Sequence, residues 1–224
     1  MQYLNEKERE ASHFRCKHTL LIPNSMPYQP RRFQRDTEIF RYIYVGRYDI
    51  LTKGLDLLID TFAGLKDWCL ENRVVLELYG PTQENPQAQL VQQRILEHGC
   101  ESFIFCNGPV YGQQKEETMQ RASAFIQTSR NEGQPMSIFE ALSYGLPCVV
   151  TDGTSFGEYC EENQCGFGVP FSQEALSEAV QKLFFDTQGY ESCCQNAVSA
   201  MKRDFELEAV ARLTLDTYCT MIKR

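Results

Sequence analysis

From residue 39 onward, short apolar runs alternate with stretches whose apolar residues recur at helical spacing. "IFRYIYVGR" is a β-rich run that ends at a glycine. "GLDLLIDTFAGLKDWCLE" follows, with Leu55, Leu58, Ile59 and Phe62 along one helical face. The alternation continues as strand 74–80, helix 85–99, strand 102–108, helix 114–122, strand 124–129, helix 135–145 and strand 147–152. A shorter helix near 156–163, a strand near 166–170 and two C-terminal helices complete the pattern. Apolar strands separated by helices of this length predict βαβ units, hence a mostly parallel sheet covered on both faces. The predicted fold class is α/β, a single doubly wound sheet spanning residues 39–224. Tyr42, Tyr44 and residues 103–105 fall in strand runs and read as core. Residues 1–38 differ: a polar start, a brief apolar run "TLLIP" and the Pro- and Arg-bearing "NSMPYQPRRFQRD" read as a linker remnant rather than a core.

At 224 residues the chain is long enough for one well-packed domain and short for two full ones. A net charge of −8 argues against a general nucleic-acid binder. It leaves room for a small anion, because a few local cations and backbone amides suffice to hold one phosphate group. The ten cysteines include no CxxC pair and no Cys/His cluster of zinc spacing. Cys106 and Cys148 fall in apolar runs, so the thiols read as reduced and structural, which fits the cytosol. The charged N-terminus has no signal-peptide character, and no apolar run approaches the roughly 18 residues of a membrane span. Peripheral association with a membrane stays open. His13, His18 and His98 stand in no motif.

In a doubly wound sheet, ligands bind at the loops that follow the carboxyl ends of the strands. The first such loop, "GRYDILTKG", carries Arg47 directly after a strand and Lys53 directly before a helix. A guanidinium fork and a point-charge ammonium beside helix-start amides suit a phosphate pair. Two solvated surface cations are the alternative, and the absence of GxGxxG gives no support to a dinucleotide fingerprint. The most informative stretch is "RNEGQPMSIFEALSYGLPCVVTD", residues 130–152. Pro135 suits the first turn of a helix, and Gly145 followed by Pro147 marks its end. The amides of Met136, Ser137 and Ile138 then stand free at the helix mouth, ready for a pyrophosphate. Glu140, one turn below Met136, would repel that group, so it suits a ribose diol, whose hydroxyls donate to a carboxylate. Glu132 lies on the other side of the phosphates, toward whatever they carry. Solvated loop and helix-face charges are the alternative reading of both.

Together "YVGRYDILTKGLDLLIDTF", "ELYGP", "FCNGPV", "SRNEGQPMSIFEALSYGLPCVVTD" and "GFGV" resemble the C-terminal, donor-binding domain of family 4-type glycosyltransferases, the group 1 class with the GT-B fold. The spacing of Glu132 and Glu140 matches that family's E-x7-E motif, and the resemblance runs in order from residue 39 to about 185. It implies a Rossmann-like domain and retaining transfer of a sugar from a nucleotide-diphospho-sugar, with no metal or other cofactor. No D-x-D pair occurs in the chain. It also implies that Arg47 and Lys53 neutralise the leaving diphosphate and that Glu140 binds the ribose. Glu132, beside Gly133, would hold the donor sugar, and the base would lie along "NGPV", near Asn107 and Val110. The family's Gly-Gly…Glu loop is matched only in part at 151–162, giving Thr154, Ser155 and Glu158 as further contacts. The family enzyme has a second, N-terminal domain carrying the acceptor site. The resemblance therefore implies a partner chain or segment supplying it, a glycan or lipid-linked acceptor, and a cytoplasmic setting at the inner membrane face. A nucleotide-sugar-binding module without transfer activity, or another GT-B enzyme such as an epimerase or a phosphorylase, are the remaining readings.

Overall fold

The computed structural model describes residues 2–12, 19–28, 38–83 and 85–222. The leading residues form β1 (Gln2–Tyr3), α1 (Glu6–Ala11) and β2 (Leu20–Leu21), with the two short strands parallel. They contribute more burial than the sequence predicts. Tyr3, Leu20 and Ile22 are buried, Leu20 and Ile22 clustering with Val210 from the end of the chain. The apolar run "TLLIP" drives this, because two Leu and one Ile in a row have no other means of leaving water.

The main body runs β3 (Phe40–Val45), α2 (Leu55–Gly64), α3 (Lys66–Asn72), β4 (Val74–Tyr79), α4 (Pro86–Glu97), β5 (Ile104–Asn107), α5 (Gly112–Arg121) and β6 (Ala124–Gln127). It continues with α6 (Met136–Ser143), β7 (Cys148–Thr151), a 3-10 turn (Asp152–Thr154), α7 (Gly157–Glu162), β8 (Gly166–Val169), α8 (Gln173–Phe185), α9 (Thr187–Asp204) and α10 (Leu207–Ile222). Six parallel strands pair in the order β5-β4-β3-β6-β7-β8. The doubly wound α/β expectation holds. The order runs outward from β3 in one direction and outward from β6 in the other. The two halves of the sheet therefore part between β3 and β6, which opens a crevice beyond their carboxyl ends.

Alternation along β3 shows how both faces are covered. Tyr42 and Tyr44 join the core under α2, α4 and α8, whereas Ile43 joins the core under α5, α6 and α7. Helix α9 closes both, with Tyr190 and Cys194 in one cluster and Ala197 and Met201 in the other. Phe139 of α6 is fully buried, stacked on Phe205 at 4.2 Å between ring centroids. Phe105 departs from its predicted core role: β5 is an edge strand, and the side chain is 38% exposed.

Local signals account for the helix boundaries. Asn85 caps α4 by accepting from the Gln87 amide at 3.0 Å, with Pro86 in the first turn. Gly145, at φ +68°, ends α6: its amide reaches Leu142 O, and the Leu146 amide reaches Ala141 O, the two bonds of a Schellman motif. Two expectations are corrected. The helix read over residues 54–71 is two, because Leu65 turns out of helical geometry (φ −98°, ψ 17°) and its carbonyl restarts α3 by accepting from Cys69. The two C-terminal helices are three, because the Asp186 carboxylate accepts from the Gly189 amide and opens α9 directly after α8.

One contact fixes the crevice. Gly54, at φ +64°, lies so close to the chain after β6 that an added Cβ would stand 1.9 Å from Thr128 O. Thr128 Oγ1 in turn donates to Gly54 O at 2.8 Å. Gly54→Ala is expected to cost roughly 1–3 kcal/mol of unfolding free energy, whereas Gly133→Ala, with open space around it, should stay within about 0.5 kcal/mol. Urea denaturation of both variants checks the pair; equal effects would contradict the close approach. By the same measurement Phe139→Ala should lose roughly 3–5 kcal/mol and Phe105→Ala less than about 1 kcal/mol.

Candidate functional site

The loop after β3 is shaped by its own side chains. Asp49 Oδ1 accepts from the Thr52 amide at 3.0 Å, and Asp49 O accepts from the Lys53 amide at 3.0 Å. The first of these bonds holds the Asp49 carboxyl below its ordinary range, with help from Arg47 and Lys53. The turn thereby delivers Lys53 to the start of α2, facing the loop after β6. Tyr48 is buried, and its hydroxyl sits within hydrogen-bond reach of Leu78 O and Asn107 O, at 2.7 and 2.6 Å. It thus ties this loop to the ends of β4 and β5. The Tyr44 hydroxyl donates to Arg47 O at 2.8 Å. Burial, reinforced by the charge of Glu132, pushes this phenol well above its usual range, so it stays a neutral donor. Arg47 itself is exposed at the rim.

The loop after β6 is held from several directions. Arg130 makes a two-point ion pair with Asp56 of α2, at 2.9 and 2.6 Å, and stacks over Phe171 at 4.2 Å from the ring centroid. Its amide donates to Thr52 O at 2.9 Å. The Glu132 amide donates to Gly153 O and the Ser155 hydroxyl to Glu132 O, both at 2.8 Å. Glu132 Oε1 accepts from Ser129 Oγ at 3.1 Å and Gln127 Nε2 at 3.2 Å, and forms an ion pair with Lys53 Nζ. Both partners of that pair are largely buried, with 15% and 16% of their side chains exposed. A carboxylate gripped by three donors is fixed in direction.

Helix α6 begins beside this loop. Pro135 occupies the cap position, and its carbonyl accepts the Ile138 amide at 3.1 Å. The expected trio of free amides is thereby corrected to two, Met136 and Ser137, because the first turn closes tightly on Pro135. Ser137 Oγ donates to Gln127 Oε1 at 2.8 Å, so Gln127 links α6 to Glu132. Glu140 is ion-paired with Lys115 of α5 at 2.5 Å. The pair borders a cavity of about 420 Å³ whose walls include Tyr111, Glu116, Ser143 and Tyr144.

The remaining expected contacts divide. Gly133 is exposed, and its carbonyl accepts from Asn5 Nδ2 at 2.6 Å; Met136 is also exposed. Asn107 is half-buried with its carbonyl committed to Tyr48. Val110 is corrected: its side chain is buried in the core beneath α5 with Met119 and Tyr79, and offers no face to a ligand. Thr154 is corrected too. It is fully buried, with Oγ1 donating to Thr151 O at 2.7 Å, as the 3-10 turn after β7 requires. Sequence reading missed Gln127, Ser129 and the Arg130–Asp56 pair, whereas Ser155, expected from the 151–162 loop, does meet the Glu132 loop. Gln127 and Ser129 could have been found, since at positions two apart they share one side of the polar end of the run "AFIQTS". His98 lies apart from the site, 3.1 Å from Asp60, while His13 and His18 lie outside the described residues. Among the described residues no three His, Cys, Asp or Glu side chains cluster as metal ligands, and no helix is long and apolar enough to cross a membrane.

Comparison with known proteins bears on this site. The family described as glycosyl transferases group 1 matches residues 27–199. Mannosylfructose-phosphate synthase of Agrobacterium fabrum is 30% identical over 136 residues, covering 59% of this chain and 30% of that protein. Lipopolysaccharide 1,6-galactosyltransferase of Salmonella typhimurium is 30% identical over 115 residues, covering 50% of this chain and 30% of that protein. The chain thus spans about a third of the length of these curated relatives. Among solved structures, Anabaena HepE in complex with UDP-glucose superposes with a TM-score of 0.80 at 19% identity, covering 98% of this chain and 63% of that one. At that identity the likeness shows the fold, the C-terminal Rossmann-like domain of a GT-B glycosyltransferase. By its family match and its fold, the chain belongs to the group 1 glycosyl transferases.

Proposed function

We propose that this chain binds the donor for glycosyl transfer, taking a nucleotide-diphospho-sugar at the crevice between β3 and β6 and passing its sugar to a carbohydrate acceptor with retention at the anomeric carbon. The observation that carries this reading is the Lys53–Glu132 pair, which joins the two loops at the point where the strand order diverges. In the transfer the anomeric carbon–phosphate oxygen bond breaks, a bond to an acceptor hydroxyl oxygen forms, and the hydroxyl's proton passes to the departing diphosphate. Negative charge grows on the departing diphosphate while positive charge grows on the sugar ring.

Arg47, Lys53 and the amides of Met136 and Ser137 would meet the diphosphate charge. An ammonium has three donors, so Lys53 can hold Glu132 and a phosphate oxygen together. Glu132 would then accept from hydroxyls of the donor sugar, and its fixed charge would favour the oxocarbenium-like transition state over the ground state. Glu140 would accept from the ribose diol. No step calls for a metal or other cofactor, since the phosphates are met by protein cations and amides.

The relatives' names support a saccharide or lipopolysaccharide acceptor, and they support a further acceptor-binding region, because the chain spans only part of their length. On this reading that region comes from a partner chain or from additional sequence. The setting would be the cytoplasm, with peripheral contact at a membrane where a lipid-linked acceptor is used.

Titration calorimetry with UDP, GDP, ADP and their sugars tests the donor site. One nucleoside diphosphate should bind in the micromolar to millimolar range, and Arg47→Ala and Lys53→Met should each weaken it about 10- to 100-fold. Failure of all three nucleotides to bind at millimolar concentration would refute the assignment. Glu132→Gln should keep nucleoside diphosphate affinity within about threefold while lowering donor hydrolysis or transfer by roughly 100-fold or more. Tight donor binding with no turnover in either form, even with acceptor and partner region supplied, would instead mark a nucleotide-sugar-binding module.

A further inference from the structure

Each carboxylate of the Glu132/Glu140 pair has its own lysine, and the second lysine has no role in the reading above. Glu140 stands one turn inside α6, whose mouth is the proposed diphosphate site. An unaccompanied carboxylate there would repel the phosphates. Once covered by a nucleoside it would also lose water, which the two diol hydroxyls alone replace without a balancing positive charge. Lys115 comes from a different helix, α5, and its Nζ lies 2.5 Å from Glu140 Oε2, with 28% and 20% of the two side chains exposed. The contact therefore sits at the wall of the cavity rather than on an open surface, where an ion pair would matter little.

We propose that Lys115 is a positioning residue for nucleoside recognition, pinning and neutralising Glu140 so that the carboxylate selects a ribose diol over a 2′-deoxyribose. The inference rests on the reading of Glu140 as the ribose acceptor. Acceptor capacity permits it. An ionised carboxylate offers about four lone-pair sites, Lys115 takes one, and the remainder can receive both hydroxyls of a diol. Orientation gives the selectivity. A carboxylate held by a charge-assisted bond presents its free lone pairs in one direction, whereas an unheld one turns away from the phosphates and toward solvent. Lys115 reaches Glu140 from the helix that follows the loop 107–111, so the pair also joins two sides of the cavity.

The test is calorimetry of the full chain with UDP, GDP and ADP, then with the 2′-deoxy form of whichever binds most tightly. The unaltered protein should prefer the ribonucleotide about tenfold or more. Lys115→Met should reduce that preference to within about threefold, chiefly by weakening the ribonucleotide, and Lys115→Arg should restore most of it. Circular dichroism verifies each fold, and Lys115→Gln carries the same comparison if Lys115→Met does not fold. Equal weakening of both nucleotides, no change in either, or tighter ribonucleotide binding would overturn the inference. Glu140→Gln separates the two levels. If it abolishes the preference while Lys115→Met does not, Glu140 keeps its ribose role and Lys115 loses its own. If the unaltered protein shows no preference or binds none of the nucleotides, both fall together.

Discussion

The ion pair between Lys53 and Glu132 is the constraint on which the rest of the site depends. It spans the point where the sheet changes direction, so its two ends come from halves of the fold that share no loop. Holding two opposite charges at that depth is costly unless the geometry around them is settled beforehand. The chain settles it with hydrogen bonds and close backbone approach. Ser129 and Gln127 grip the carboxylate, the Asp49 turn aims the ammonium, and the Gly54–Thr128 approach fixes the spacing of the two backbones. The Arg130–Asp56 pair anchors the same loop to α2 a few residues away. The site is thus built from the inside outward, with its charged groups resting on a polar frame.

That frame also explains how a chain with a net charge of −8 can offer a place for an anion. Net charge acts over the whole surface and is screened within about a Debye length, whereas a phosphate responds to the few groups around it. Here the carboxylates of the site are matched by lysines, Glu132 by Lys53 and Glu140 by Lys115. With those two carboxylates paired, Arg47 and the two amides at the mouth of α6 are the groups that can meet an anion, with Asp49 beside Arg47 and Glu116 at the cavity wall as the nearby negative charges.

Much of this was legible in the amino-acid pattern, and the reasons differ by element. The strands and helices of the sheet were readable because burial on both faces leaves nearly unbroken apolar runs between amphipathic ones. The end of α6 was readable because only glycine adopts the φ of +68° found at Gly145 without strain. The two carboxylates proposed for the site, Glu132 and Glu140, were picked out by their placement relative to that helix. What escaped was set by tertiary neighbours. Phe105 looks like core until β5 is known to be the sheet edge. Val110 and Thr154 sit in loops, where residues are usually exposed, yet both are turned inward by packing and by a 3-10 turn. The Ile138 amide is lost to a bond with Pro135 whose formation depends on how tightly one turn closes. The break at Leu65 follows from backbone torsions to which a run of apolar and charged residues gives no clue.

The leading segment touches the site at two points: Asn5 donates to Gly133 O, and the Asn24 amide donates to Gln134 Oε1. These partners are separated by 128 and 110 residues along the chain. The two bonds hold Gly133 and Gln134, the residues that follow Glu132. A segment far away in the chain thus helps to shape the loop that carries Glu132, and the sheet alone does not define the site.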